Sequence, residues 1–189
     1  QLSGAMVKYN AEAMVASVLL SNQIKGEERM SVQIRTEDPF IAFTCDVTAQ
    51  GEIRARIRPI HKNIFSPLTG VLVTMKHNAQ RELYRGVTEI TEQSIAQALQ
   101  LHLSNSSQIP AFLHIDVECT HSQVSRAIGV LVEYLPLAAI TSETDKATFN
   151  EAFSALSQQS MEDLSRELAQ QKLCGIKLEM VNETPLCWW

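Results

Sequence analysis

The chain has 189 residues, of which 45% are hydrophobic and 20% charged, and its formal net charge at pH 7 is -5. A chain of this length and composition can bury one substantial core and is neither disordered nor fibrous. The acidic balance argues against a general binder of nucleic acid or of anionic membranes, because counterion release needs a surplus of lysine and arginine. Every apolar run is far shorter than the roughly 20 residues of a membrane-spanning helix. We therefore expect a soluble globular protein.

The first predicted element is a helix over residues 5–25, with Gly26 placed to end it. Its apolar stripe is wide enough to be buried, and we expect it to pack on the strands that follow. The residues of this stripe are Met6, Tyr9, Ala13, Met14, Ala16, Val18, Leu19 and Leu20.

Residues 30–57 are predicted to form a meander of three short antiparallel strands. Apolar and polar residues alternate with period 2 in residues 30–35 and 53–58, and a second apolar run covers residues 40–47. The chain is expected to reverse at Pro39, and Gly51 tolerates the positive φ of a tight turn. The result is a sheet with one apolar face.

The next stretch is predicted to add two strands, a helix and a hairpin. Residues 58–70 have prolines and no period, which favours a loop, and strands are predicted at 71–75 and 82–90 with Gly86 as a bulge or point of close approach. Residues 92–103 are typical of a helix, and residues 109–117 and 128–134 of a hairpin. The predicted core face of that helix is Ile95, Ala98, Leu99 and Leu103.

The character of the chain changes near residue 141. Residues 140–146 are polar and patternless, so we predict an α+β core domain at 1–141, with antiparallel or mixed sheets and packed helices, and a helical linker region at 142–189. Ser160 and Asp163 resemble a capping box at the start of one linker helix. Residues 176–180 alternate as a short last strand.

No catalytic, cofactor-binding or metal-binding residues are predicted. His114, Cys119 and His121 match no zinc spacing and lack a fourth ligand. An enzyme site built from His114, Asp116, Glu118 and Cys119 is a remote alternative that only a shared pocket would favour. The four cysteines, Cys45, Cys119, Cys174 and Cys187, form no CxC or CxxC pair, so we interpret them as reduced and intracellular, with Cys45 as a core thiol.

A basic edge is formed by Arg54, Arg56, Arg58, His61 and Lys62. It could meet phosphate, but a solvated strand face is the better interpretation because no aromatic residues interleave and the whole chain is acidic.

Short motifs follow one another in a specific order along most of the chain. They are residues 11–16 (AEAMVA), Leu19-Leu20, Lys25-Gly26, residues 32–34 (VQI), Asp38-Pro39, Gly51 with Ile53-Arg54, Tyr84 with Gly86, residues 94–96 (SIA) with Leu99, Ser104, residues 107–110 (SQIP), residues 127–132 (AIGVLV) and Leu135-Pro136. In this order they resemble the redox-switched heat-shock holdases known as the 33 kDa chaperonins. The loop at residues 58–70 diverges from that family, and Glu37 stands where the family usually has glycine.

The resemblance implies an ATP-independent chaperone that binds unfolded or misfolded client proteins and prevents their aggregation. In the family, oxidation of a C-terminal zinc module with CxC and CxxC cysteines destabilises the helical linker and uncovers the client surface. That module is absent from this chain, which stops at Trp189 where its first cysteine would fall, so we expect no zinc in this chain and no oxidant-controlled switch. The masking surface implied by the resemblance is Phe149, Phe153, Leu156, Leu164 and Leu168.

The family also implies a homodimer and a cytoplasmic location, or a mitochondrial or plastid one if the source is eukaryotic. The main alternative is a non-chaperone α+β protein-interaction module whose partner docks on the helical tail. A saturable one-to-one complex with a single folded partner would favour that alternative.

Overall fold

The computed structural model describes residues 4–37, 41–59, 68–106, 108, 111–120 and 123–133, together with residues 151, 154, 160 and 163. Within residues 4–133 of the described part, two α-helices and two antiparallel sheets form an α+β fold, as predicted from the sequence. The helices are α1 (Gly4–Leu20) and α2 (Ile95–Ser106). The strands are β1 (Arg29–Thr36), β2 (Ile41–Thr48), β3 (Ile53–Pro59), β4 (Leu68–His77), β5 (Glu82–Gln93), β6 (Ala111–Thr120) and β7 (Gln123–Glu133).

The larger sheet has five strands in the order β3-β2-β1-β4-β5, and every neighbouring pair is antiparallel. The predicted meander of β1, β2 and β3 is confirmed. β4 adds to the free side of β1, with Ile34 opposite Leu72, so β1 lies at the centre of the sheet. β6 and β7 form the predicted hairpin as a separate two-stranded sheet.

The turn between β2 and β3 explains the glycine at position 51. The Gly51 N–H donates to the Thr48 carbonyl at 2.9 Å, and the Thr48 N–H donates to the Glu52 carbonyl at 3.0 Å. Gly51 has φ +81°, a left-handed conformation that side chains with a Cβ rarely adopt. Its predicted positive φ is therefore confirmed.

Helix α1 packs between the two sheets rather than on the meander alone. Ala13 and Ala16 are fully buried, and α1 contacts β6 and β7 more extensively than it contacts β2 or β3. Gly129 on β7 lies so close to the helix that an added Cβ would collide with the side chains of Val15 and Leu19. The prediction that the meander is the partner of α1 was incomplete, because the hairpin covers another side of the helix.

Several observed boundaries differ from the predicted ones. Helix α1 ends at Leu20 and is followed by a 3-10 turn at Ser21–Gln23, whereas Gly26 takes its positive φ of +60° outside the helix. Helix α2 starts later than predicted because β5 continues to Gln93. The predicted loop at residues 58–70 was wrong at both ends, since β3 reaches Pro59 and β4 begins at Leu68.

Ser94 fixes the start of α2 through a reciprocal pair of hydrogen bonds. The Gln97 N–H donates to Ser94 Oγ at 3.3 Å, and the Ser94 N–H donates to Gln97 Oε1 at 2.9 Å. This is a capping box, which satisfies backbone donors that the first helical turn leaves without partners.

The predicted cap in the tail is present as well. The Asp163 N–H donates to Ser160 Oγ at 3.2 Å. The other tail predictions, including the boundary between residues 141 and 142 and the last strand at 176–180, lie outside the described residues.

Candidate functional site

The outer side of the larger sheet, opposite the core, carries a cluster of apolar side chains that we call the apolar face: Val71, Val73 and Met75 of β4 and Val87 of β5. Side chains alternate between the two faces of a strand, and Leu72 and Thr74 of β4 are buried on the core side. Val73 lies directly opposite Val87 in the β4–β5 register. The four side chains therefore lie close together on one surface.

Two side chains of this surface are among the exposed large hydrophobic residues of the described chain. Val87 is 60% exposed and Val71 is 38% exposed, whereas the core residue Leu72 between Val71 and Val73 is fully buried. Single exposed apolar residues are common on protein surfaces, but adjacent ones in register form a patch that can bind another apolar surface. The sequence signal for this patch was the run Val71-Leu72-Val73, which is apolar on both faces of the strand.

Charged residues flank the apolar face at both of its ends. Val71 has Arg35 of β1 on one side and Glu89 of β5 on the other, and Met75 lies opposite Arg85. Arg85 makes a bidentate pair with Glu82, with a shortest distance of 2.7 Å, and these hydrogen bonds lower the pKa of the Glu82 carboxyl. A rim of this kind keeps an apolar patch compatible with solubility.

The basic edge predicted from the sequence lies on the same outer side, at the far end of the sheet. Arg54, Arg56 and Arg58 are exposed on β3, as a solvated strand face requires. His61 and Lys62 lie outside the described residues.

Behind the apolar face, a buried histidine ties α2 to β4 and β5. His102 is only 2% exposed, and its ring nitrogens lie 2.7 Å from Thr74 Oγ1 and 2.8 Å from Thr88 Oγ1. Burial, with a smaller contribution from Lys76, lowers the pKa of His102 to about 4, so the ring is neutral at pH 7. The sequence analysis missed His102, although a polar residue one turn from Leu99 and next to Leu103 on the apolar stripe was a usable signal.

The predicted close approach at Gly86 is confirmed at this histidine. A Cβ on Gly86 would lie 2.6 Å from His102 Cε1 and 2.6 Å from the Tyr84 hydroxyl. The glycine therefore makes the space in which the ring of His102 lies against β5.

Cys45 is a core thiol, as predicted. Its side chain is fully buried, and burial raises its pKa to about 11 despite a hydrogen bond with Ser17 that favours the thiolate. A thiol of this kind is a poor nucleophile and a poor oxidant sensor. Cys119 is exposed, and Cys174 and Cys187 lie outside the described residues.

Two carboxylates of the remote enzyme alternative are held in ion pairs by one arginine. Arg126 Nη2 binds both carboxylates of β6, at 3.0 Å from Asp116 and 2.6 Å from Glu118, and the ring of His114 stacks on Phe112. A groove in the described part of the chain lies between β5 and α2, with Val87 and Leu101 in its lining. The carboxylates of Asp116 and Glu118 are therefore engaged in ion pairs.

A metal site is not formed by the described residues either. Within them, no group of three or more His, Cys, Asp or Glu side chains is placed to hold an ion. His121, one member of the weak trio noted in the sequence, lies outside the described residues. In the same part of the chain, no helix is long and apolar enough to cross a membrane.

The predicted masking residues are not among those whose positions are described. Phe149, Phe153, Leu156, Leu164 and Leu168 all fall outside the described ranges. Their assignment remains a prediction.

Comparisons with known proteins agree on one family. The family model described as Hsp33 protein matches residues 1–188. A 33 kDa chaperonin of Bacillus subtilis is 23% identical over 92% of this chain and 64% of its own length, and that of Bacillus licheniformis is 27% identical over 77% of this chain and 53% of its own length. The chain thus spans about half to two thirds of the length of these curated relatives.

A solved structure shows the same fold. The crystal structure of a 33 kDa chaperonin from Thermotoga maritima superposes with a TM-score of 0.67 at 19% identity, covering 84% of this chain and 57% of that one. Together with the family match over residues 1–188, this establishes that the chain belongs to the Hsp33 family.

Proposed function

We propose that this chain is an ATP-independent chaperone, a holdase that binds unfolded proteins and prevents their aggregation. The observation that carries the proposal is the apolar face, which presents Val71, Val73, Met75 and Val87 on the outer side of two neighbouring strands, with charged residues beside it. Such a surface binds exposed apolar segments of many sequences, because apolar burial is not directional. Membership of the Hsp33 family supports the same function.

The energetics suit reversible holding rather than permanent capture. Burial of apolar surface contributes roughly 25 cal/mol per Å², so each partly exposed valine adds no more than about 1 to 2 kcal/mol when a client covers it. Several such contacts must act together against the entropy that the client loses. Binding and release of this kind need no nucleotide hydrolysis.

We further propose that residues 142–189 mask the client surface as a linker region beside the core at 1–141. The residues proposed for masking are Phe149, Phe153, Leu156, Leu164 and Leu168. Helices as short as those predicted here are marginally stable in isolation, so their docking onto apolar surface would decide whether they stay folded. A cytoplasmic location and a homodimer remain predictions.

The proposal for redox control follows from cysteine spacing. A zinc module needs thiolates held near one another, and the cysteines at positions 45, 119, 174 and 187 have neither CxC nor CxxC spacing. We propose that this chain by itself has no peroxide-controlled switch, whereas zinc-cysteine control belongs to family members that carry the module.

The test is the aggregation of a thermally unfolding client followed by light scattering. We expect substoichiometric to equimolar chain to suppress scattering without ATP, and peroxide treatment to leave the protection unchanged. An equal mass of a folded, non-chaperone protein is the control. Protection that depends strongly on peroxide would refute the absence of a switch, and no protection at any ratio, together with a one-to-one complex with a single folded protein, would favour the interaction-module alternative.

A further inference from the structure

Strand β3 is an end strand of the larger sheet among the described strands, and its backbone offers a row of hydrogen-bonding groups on the side away from β2. Antiparallel ladders alternate between residue pairs that exchange hydrogen bonds and pairs that do not. The β2–β3 hairpin begins with the hydrogen-bonded pair Thr48 and Glu52. The next positions on β3 that exchange hydrogen bonds with β2 are therefore Arg54, Arg56 and Arg58. The N–H and C=O groups of the residues between them therefore point to the free side.

The intervening residues are Ile53, Ala55 and Ile57, and their side chains are half-buried. They pack against the edge of the hydrophobic core. An added strand with apolar side chains on this face would extend the core by one more strand.

The opposite face of β3 carries the three arginines. Arg54, Arg56 and Arg58 are exposed, and within the described part of the chain the ion pairs are made by Arg85 and Arg126 rather than by these three. Asp46, the cross-strand neighbour of Arg54, accepts the hydroxyl hydrogen bond of Ser31. Alternate residues of a strand are about 6.8 Å apart. The three arginines therefore have the same spacing as alternate side chains of an extended peptide lying beside β3.

We propose that the free edge of β3 binds an extended acidic segment of polypeptide as an added antiparallel strand. Carboxylates at alternate positions of that segment would face Arg54 and Arg56, and apolar residues between them would lie beside Ile53, Ala55 and Ile57. Cross-strand pairs of opposite charge are favourable, whereas like charges directly opposite are destabilising. Main-chain bonds give the affinity and the alternating side chains give the selectivity.

The same features disfavour two other occupants. A second copy of β3 would bring arginine against arginine, which is one way that natural proteins protect edge strands from self-pairing. Single-stranded nucleic acid would meet positive charge but no stacking platform, because the outer face of β2 and β3 presents Ala42, Thr44 and Asp46 beside the arginines. The inference does not depend on holdase activity, since it concerns direct binding of one class of peptide.

The first experiment measures peptide binding to the full chain by fluorescence anisotropy at physiological salt. The probes are a labelled peptide that alternates glutamate with valine and threonine, the same peptide with lysine for glutamate, and the glutamate peptide with N-methylated backbone amides. We expect the glutamate peptide to bind at least about tenfold more tightly than the other two. Equal binding of the N-methylated peptide, or displacement of the glutamate peptide by single-stranded DNA at equal charge concentration, would overturn strand addition.

Charge reversal supplies a second arm. The double variant Arg54→Glu with Arg56→Glu should reverse the preference, so that the lysine peptide binds about tenfold more tightly than the glutamate peptide. Arg81→Glu, which changes an exposed arginine in the turn before β5, is the matched control and should keep the original preference. An unchanged preference in the double variant would contradict the proposal.

Hydrogen exchange of the wild-type chain tests the same proposal without the double variant, in case that variant does not fold. In the wild-type chain, the amides of Ala55 and Ile57 should exchange quickly without peptide and slowly with the glutamate peptide, whereas the amides of Arg54 and Arg56 should be protected in both states. Binding without protection of Ala55 and Ile57 would rule out pairing at this edge.

Discussion

His102 Nε2 of α2 lies 2.7 Å from Thr74 Oγ1 of β4, in a site where both residues are 2% exposed. This contact joins the second helix to the strand that carries three of the four residues of the apolar face on its other side. The apolar face therefore lies directly over a buried polar contact that links α2 to β4.

Replacement of His102 should change how stability depends on pH. The pKa of His102 falls from its ordinary 6.5 to about 4 in the folded chain, so the unfolded chain binds more protons between these values. The contribution of the neutral ring to the free energy of unfolding is fully present above pH 6.5. As pH falls from 6.5 toward 4, this contribution decreases by on the order of 3 kcal/mol. Urea unfolding at several pH values should show a shallower loss for His102→Gln than for the wild type. Equal slopes over this window would contradict the assignment.

Removal of one hydroxyl partner of His102 should destabilise the fold more than removal of an exposed hydroxyl. Thr74→Val keeps the shape of the side chain but leaves a buried ring nitrogen without its partner, which costs about 1 to 3 kcal/mol. Thr44→Val, on the exposed side of β2, makes the same chemical change and should stay within about 0.5 kcal/mol. The measurement is the free energy of unfolding of each variant. Equal losses for Thr74→Val and Thr44→Val would show that the contact between Thr74 and His102 does not stabilise the fold.

Replacing each of three glycines with alanine should lower the denaturant midpoint by an amount that depends on the atoms that the new Cβ would contact. At Gly70 the new Cβ would collide with the backbone of Arg35 and Thr36, which cannot move without distorting the β1–β4 ladder. At Gly86 the new Cβ would contact the side chains of His102 and Tyr84. At Gly129 it would contact the side chains of Val15 and Leu19. We expect Gly70→Ala to lower the denaturant midpoint most, because overpacking costs about 1 to 3 kcal/mol and more against backbone. A Gly70→Ala midpoint above those of the other two would refute the packing at β1–β4.

The two described cysteines should react very differently with a thiol reagent. Cys119 is exposed and should be alkylated in the native chain, whereas Cys45 is fully buried with a pKa raised to about 11. Peptide mass spectrometry after brief iodoacetamide treatment should find Cys45 modified only when denaturant is present. The reaction of Cys119 in the same sample is the internal control, and native modification of Cys45 at a similar rate would show that the core opens readily.

The sequence predicted the local parts of this fold well because they depend on period and turn chemistry. The alternation around Met30 and Ile53, the turn at Gly51 and the close approach at Gly86 were all readable from neighbouring residues. The insertion of β1 between β2 and β4 was not, because strand order depends on contacts between distant segments. The second partner of α1 was missed for the same reason.

The candidate site was harder to predict than the fold. Val71 and Val73 were recognised as strand residues, but their outward direction follows only from the register that buries Leu72. His102 needed Thr74 and Thr88, which lie on two separate strands. The apolar run Val71-Leu72-Val73 indicated a strand with two apolar faces, but it did not indicate which face would be covered.

The most direct test of the account is client aggregation with a single charge placed on the apolar face. Val87→Lys puts a lysine at the most exposed of its valines, and Thr91→Lys places the same charge at an exposed position farther along β5 as a matched control. Light scattering of a thermally unfolding client should show weaker protection by Val87→Lys, with several times more chain needed for half suppression, and unchanged protection by Thr91→Lys. Equal protection by the wild type and both variants, at equal stability, would contradict a client surface on this face.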